Sequence, residues 1–263
     1  MRSDHRVLVF VVLAVGVLTL GLTAAGQEKK PRLFFVEDDV VKPAMASQFE
    51  AALKETVESV FKAYAWPWPF DVYATEDFHY YILYPFESLS EIDKGFGIWN
   101  EMLGKLGAGK WDALNRKMGE TTEYVRQGTV TLSPELSYAP EAPGLKPEEV
   151  KFVYWGFCSV LPGKEKDFEE QLGKMVALYK ARKVPAGFQS WIGGIGTEMP
   201  FYFYSETAKS GSDLFLMDEK VMKLIDPEAT AIWSAMLKLM RKYESKMGAY
   251  RPDLSYAPSA KAK

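Results

Sequence analysis

One imidazole, three consecutive acids and several tyrosine and tryptophan clusters are the side chains of this 263-residue chain whose types could do chemistry. His79 is the only histidine besides His5, and a histidine beside a carboxylate can act as general acid and base near neutral pH. Glu37, Asp38 and Asp39 offer the carboxylates. Side chains alternate between the faces of a strand, so Phe35, Glu37 and Asp39 share one side of a first strand, and His79, Tyr81 and Leu83 share one side of a later one. If both sides face one partly apolar pocket, Glu37 and His79 form an acid–base pair whose pKa values burial would shift. The competing expectation is structural: three successive acids mark a solvated strand end, and His79 sits beside a hairpin turn where exposure is usual.

Tyr81, Tyr154, Trp191, Tyr202 and Tyr204 are the candidate ligand-binding residues, because flat rings with polar rims suit a small apolar or aromatic molecule. Matching Phe201 and Phe203 to Tyr80 and Ile82 turns that set toward the helices, and leaves His79, Tyr81, Tyr202 and Tyr204 toward the space between two sheets. Strands favour aromatic residues for packing alone, so an ordinary core stays open beside the pocket. The Trp66-Pro67-Trp68-Pro69 segment is either a lid or a core cap.

Several chemistries are excluded or disfavoured. Cys158 is the only cysteine, so no intrachain disulfide forms, and flanking apolar residues make it an inert core thiol. Two histidines and one cysteine leave little from which to build a metal site, and neither metal nor cofactor is expected. Residues 104–110 have P-loop spacing, but Trp111 stands where Ser or Thr must bind magnesium, and a helix precedes the segment where a strand is required. The glycines of 193–196 fit a hairpin better than a dinucleotide loop, since no helix follows them. A net charge of -3 without a local basic run disfavours nucleic acid as partner.

The N-terminus has the three-part layout of a secretory signal peptide: Arg2 and Arg6, an apolar run over 7–22, then the small residues Ala24, Ala25 and Gly26. Cleavage near residue 26 and export to a periplasm or the exterior are expected. The alternative is a retained membrane anchor, the one route to a membrane this sequence offers. Homo-oligomerisation stays open.

The mature chain is one unit written twice. Leu-Ser-Tyr-Ala-Pro occurs at 136–140 and again at 254–258, and Val41, Pro43, Phe49 and Glu50 find counterparts in Val160, Pro162, Phe168 and Glu169. Proline and glycine at 143–147 mark a linker. The expected division is a signal peptide over 1–26, repeats over 31–140 and 150–258, and a linker over 141–149. Each copy begins with a β-branched and aromatic strand, followed by an apolar stripe at helical spacing: Phe49, Leu53, Val57 and Val60 in one, Phe168, Leu172 and Val176 in the other. Two further strands, a capped helix and the Leu-Ser-Tyr-Ala-Pro segment as a short last strand complete the order βαββαβ. In copy two the second helix is expected to start at Asp226-Pro227-Glu228 and to carry Trp233, Leu237, Met240 and Met247 as its stripe. This is an α+β fold of two tandem ferredoxin-like repeats, whose open antiparallel sheets can bury each other as an intrachain dimeric α/β barrel.

The stretch 154–164, YWGFCSVLPGK, followed by Phe168-Glu169, resembles the opening strand and helix of NIPSNAP-like and antibiotic-biosynthesis-monooxygenase-like members of the dimeric α/β-barrel superfamily. Residues 36–43 followed by Phe49-Glu50 are a weaker match. NIPSNAP-like sequences carry Glu-Leu-Arg in the first strand, and neither Phe35-Val36-Glu37 nor Tyr154-Trp155-Gly156 keeps it, so no family active site transfers. The resemblance implies a barrel of two facing sheets, with a cavity that relatives use for small hydrophobic molecules, oxygen-dependent chemistry or haem. Three functions follow as expectations: a small-molecule binder with its ligand between the sheets, a cofactor-independent oxygenase or isomerase using His79 with Glu37 or a tyrosine, or a structural and assembly module.

Overall fold

The computed structural model describes residues 30–141 and 144–258; the expected signal peptide lies outside the described residues. The first repeat runs β1 (Arg32–Val41), α1 (Ala46–Thr56), β2 (Asp71–Thr75), β3 (His79–Phe86), α2 (Leu89–Leu106), α3 (Ala108–Thr121) and β4 (Thr122–Tyr138). The second runs β5 (Phe152–Val160), α4 (Glu165–Ala181), β6 (Phe188–Gly193), β7 (Phe201–Ala208), α5 (Gly211–Ile225), α6 (Glu228–Leu237) and β8 (Met240–Tyr250). Eight strands close in the order β1-β3-β2-β8-β5-β7-β6-β4. Each repeat supplies the ferredoxin-like order, β4-β1-β3-β2 and β8-β5-β7-β6, and the seams are β2 with β8 and β4 with β6. The fold is thus an α+β, intrachain dimeric α/β barrel.

Alternation along the strands builds two kinds of core. Inside the barrel, Phe34, Leu83, Val130, Val153, Trp155 and Trp191 bury against one another across the two repeats. Phe34 meets Trp191 edge-on at 5.1 Å, and Trp155 meets Tyr73 at 5.5 Å. Outside, the helices cover each sheet: Phe49, Leu53, Val57 and Val60 form the expected stripe in the first repeat, and Phe168, Leu172 and Val176 in the second. The Ser88 side chain accepts the Glu91 N–H and caps α2, as its spacing predicts.

The structure corrects the helix count and the last strand. Two helices, not one, join the third and fourth strands of each repeat. In the first, Gly107 takes φ 88° between α2 and α3, so the P-loop-like segment is a helix–helix joint. In the second, α5 precedes α6, and α6 ends at Leu237; Met240 and Met247 belong to β8. Helical spacing continued by chance into a strand.

Nor is Leu-Ser-Tyr-Ala-Pro a strand of its own repeat. Ser137 and Tyr138 end β4 against the partner repeat: Ser137 Oγ accepts the Ser190 N–H at 2.8 Å, and the Tyr138 hydroxyl donates to the Val184 carbonyl at 2.9 Å. The second copy reciprocates after β8 has ended. Ser255 Oγ accepts the Val72 N–H at 2.9 Å, and the Tyr256 hydroxyl donates to the Trp66 carbonyl at 2.9 Å. Each tail latches the other repeat. Ser137→Ala and Ser255→Ala should each leave one inter-repeat N–H unpaired and cost about 1–3 kcal/mol in urea denaturation; a loss from only one of them would show the two latches to be unequal.

Candidate functional site

β1 decides where the acids go. Its inward residues Phe34, Val36 and Asp38 face the barrel, so Phe35, Glu37 and Asp39 face the helices. There they floor a chamber of about 540 Å³ between the first-repeat sheet and helices α1, α2 and α3. Tyr84 and Ile82 continue the floor, while Phe61, Phe96, Trp99 and Trp111 supply aromatic walls, with Trp66 beside them. Gly95 keeps space open on α2, because a Cβ there would meet the Phe86 ring at 3.3 Å. Phe35 lies edge-on to Phe96 at 5.6 Å, and Trp99 edge-on to Trp111 at 5.3 Å.

Two polar atoms on this lining have no partner among the described residues. Asp39 Oδ2 and the Trp66 indole N–H are both buried and unbonded, an acceptor and a donor left open in one chamber. Glu37 accepts from the Gln127 amide at 2.6 Å. Among the described residues no Lys, Arg or His lines the chamber. Burial therefore pushes the Asp39 carboxyl up to about 8, with Glu37 and then Asp38 adding to the rise. Burial also raises Glu37, partly offset by its Gln127 bond. Asp39 can hold or release a proton near neutral pH, which an exposed aspartate cannot. Asp38 and Asp39 are 8% and 3% exposed, so the expectation of a solvated strand end is overturned.

His79 is elsewhere. It shares the barrel-facing side with Asp38, and its Nδ1 lies 2.7 Å from Asp38 Oδ1, while Glu37 points to the opposite face of the sheet. The expected Glu37–His79 pair does not form; Asp38 takes that place. Arg126 holds the other Asp38 oxygen, His79 Nε2 lies 3.6 Å from Asp77, and Lys246 pairs with Asp77. The imidazole is buried at the barrel mouth between two carboxylates, stacked on Tyr81 at 5.7 Å, and joins β1, the β2–β3 turn and β8.

The aromatic candidates divide. Tyr81 faces a barrel-interior cavity of about 350 Å³, as expected. Trp191 is in the barrel core, stacked parallel on Phe203 at 5.4 Å, and lines none of the cavities described here. Tyr202 and Tyr204 face the helices, correcting their assignment to the space between the sheets: Phe201 and Phe203 take the inward positions. The register shows why. Asp39 pairs with Tyr80 and Cys158 with Tyr202, so Tyr202 matches Tyr80, and each donates to its helix acid, Glu169 at 2.8 Å and Glu50 at 2.9 Å. With aromatics on both faces of β7, hydrophobicity alone could not set the parity. Tyr154 is also on the helix side, bonded to Tyr243, and burial pushes the Cys158 thiol up to about 12.

Sequence reasoning missed Tyr84 and Trp99 as chamber residues, and it put Asp39 on the face of Glu37 and Trp66 in a lid or core cap without assigning either a chemical role. The available signal was the acid at every second position of β1, followed by tryptophans after α1.

Neither a family model nor a curated protein matches the sequence. Solved structures do match the fold. An anthrone oxidase-like protein superposes with TM-score 0.62 at 13% identity, over 91% of this chain and 97% of its own. Candidate monooxygenases from Fusobacterium nucleatum and Lactobacillus acidophilus give 0.53 and 0.51, at 10% and 9% identity. The first covers 84% of this chain and 92% of its own, the second 87% and 97%. The dimeric α/β-barrel architecture is shared with all three.

Asp39 makes stability depend on pH. The folded chain keeps that proton up to about 8, whereas an unfolded aspartate releases it near pH 4. Across that window the folded state binds more protons, so stability falls as pH rises, by at most about 1.4 kcal/mol per pH unit for each such acid. Asp39→Asn should flatten the fall in urea midpoints across the window; an unchanged slope would contradict a buried, protonated Asp39.

Proposed function

We propose that this chain binds a small, planar, largely apolar molecule carrying a hydroxyl or carbonyl in the first-repeat chamber, with Asp39 as its proton-exchanging partner. The observation that carries the proposal is the pair of unbonded atoms, Asp39 Oδ2 and the Trp66 N–H, in one aromatic-walled space. Burying either without a partner costs about 1–3 kcal/mol, which a ligand's polar edge would offset. The aromatic walls suit a flat body, and the chamber's volume lies in the usual range for small-molecule sites. The barrel-interior cavity is the other location for a ligand, but neither unbonded atom lines it.

Proton removal is the chemistry these residues support. A bound phenol or enol could give its proton to ionised Asp39, with Glu37 beside it held by Gln127. The fold neighbours named as oxidase-like and candidate monooxygenases make such base-initiated oxidation the second reading. Its base would be Asp39, since His79 lines neither of these cavities. The proposal includes export of the mature chain after cleavage near residue 26. Mass spectrometry of the N-terminus tests that part, and an intact Met1 in the membrane fraction would mean a retained anchor.

Titration with 2-naphthol should quench tryptophan fluorescence, because Trp66, Trp99 and Trp111 line the chamber. Asp39→Asn should weaken binding about tenfold, the equivalent of one hydrogen bond of about 1.4 kcal/mol. Binding that survives Asp39→Asn but is lost in Val36→Phe, which obstructs the barrel interior, would move the ligand between the sheets.

A further inference from the structure

The second repeat has its own cavity between sheet and helices, and it is built differently. By register, Gly156 stands where the first repeat has Glu37, Cys158 where it has Asp39, and Glu206 where it has Tyr84. A Cβ at Gly156 would overlap the Tyr204 ring, so the glycine admits that ring into the volume above β5. The Tyr204 hydroxyl then shares the Tyr243 hydroxyl with Tyr154, at 2.9 and 3.0 Å. What stays open is about 270 Å³ at the far end of β7, beside Glu206.

Among the described residues Glu206 is the only charged one lining this cavity, and no hydrogen bond or ion pair there satisfies it. Around it stand Tyr179, Tyr204, Trp233 and Phe188, with Met175 and Met222. The charged group acting on it is another acid, Asp218 on α5, and burial followed by Asp218 raises the Glu206 carboxyl to about 8. A cation beside Glu206 favours its ionised form, and with Asp218 near and no base among the described lining residues the cavity then repels anions and favours cations. Ring faces attract an organic cation through their quadrupoles, and methionine sulfur adapts to irregular apolar shapes.

We infer that this second cavity binds a hydrophobic organic cation, an aryl- or alkylammonium, with its charge against Glu206 and its apolar body between Tyr179, Trp233 and the methionines. A cation supplies the charged partner that no described residue provides to this half-buried carboxyl. A neutral molecule of the same shape gains at most one hydrogen bond there. The site is separate from the Asp39 chamber, which lies on the other repeat, so the two proposals stand or fall independently.

Three probes with one body and different charges test it on the whole mature chain by calorimetry: phenethylammonium, 2-phenylethanol and 3-phenylpropionate. Phenethylammonium should bind at least about tenfold more tightly than the other two, and Glu206→Gln should remove that preference. Methyl-labelled methionine NMR should show shifts at Met175, Met222 and Met236 and none at Met118 of the first chamber. Equal affinity for 2-phenylethanol, no binding of the ammonium, or shifts confined to Met118 would each overturn the inference. The comparison of probes on the unaltered chain keeps the test decisive if Glu206→Gln fails to fold.

Discussion

Two open sheet faces must be buried against each other, and most of the structure follows from that constraint. A four-stranded ferredoxin-like sheet covered by helices on one side leaves its other side apolar and its edge strands unpaired. Joining two such sheets edge to edge closes the barrel, so β2 finds β8 and β4 finds β6. The paired β2–β8 seam is only three residues long, from Tyr73–Tyr250 to Thr75–Gly248. It is reinforced by the Ser255 and Tyr256 latch and by Glu76, whose carboxylate accepts the Met247 N–H. His79 belongs to the same closure: with Asp38, Asp77 and Lys246 it bridges the repeats where the barrel opens. The buried histidine is held between two carboxylates at this closure, and the proposed proton exchange is assigned to the other face of the sheet.

The closed interior also sets where a ligand can go. Large aromatic side chains from both repeats meet inside the barrel, where Trp191 stacks on Phe203. The wider space is under the helices of the first repeat, where two helices in place of one span from β3 to β4. In the first repeat α2 and α3 leave a chamber that tryptophans line without filling. The six residues of π-helical turn that extend α1 bring Phe61 to its wall, and such turns recur at functional sites.

The doubling, the strand order and the facing sheets were legible in the sequence, because a repeated Leu-Ser-Tyr-Ala-Pro and two helical stripes need no tertiary information. The tail's destination was not legible. Ser137 and Ser255 look alike locally, yet each bonds a strand of the opposite repeat, a long-range fact no local pattern carries. Face assignment failed for a related reason. In β7 the run Phe201-Tyr202-Phe203-Tyr204 is aromatic on both sides, so parity had to come from the Cys158–Tyr202 register. For β1, a run of three charges hid the alternation that sends Asp38 one way and Glu37 and Asp39 the other. Asp39 read as solvent-facing because the covering helix α3 was absent from the expected layout.

The duplication contains its own control for the acids. Both repeats solve the same packing problem with the same strand order, and the second does so with Gly156 and Cys158 at the positions of Glu37 and Asp39. The scaffold therefore does not require carboxylates there. Two acids in a chamber without a base oppose folding through desolvation and mutual repulsion, and small apolar residues would avoid that cost. Tyr80 and Tyr202 make the contrast sharper: where an acid serves packing, as Glu50 and Glu169 do, it occurs in both repeats and is hydrogen-bonded in both. Asp39 occurs in one repeat, is buried, and leaves an oxygen unbonded into a cavity. The fold that encloses it does not require this acid, and the proposed ligand would supply the partner that its free oxygen lacks.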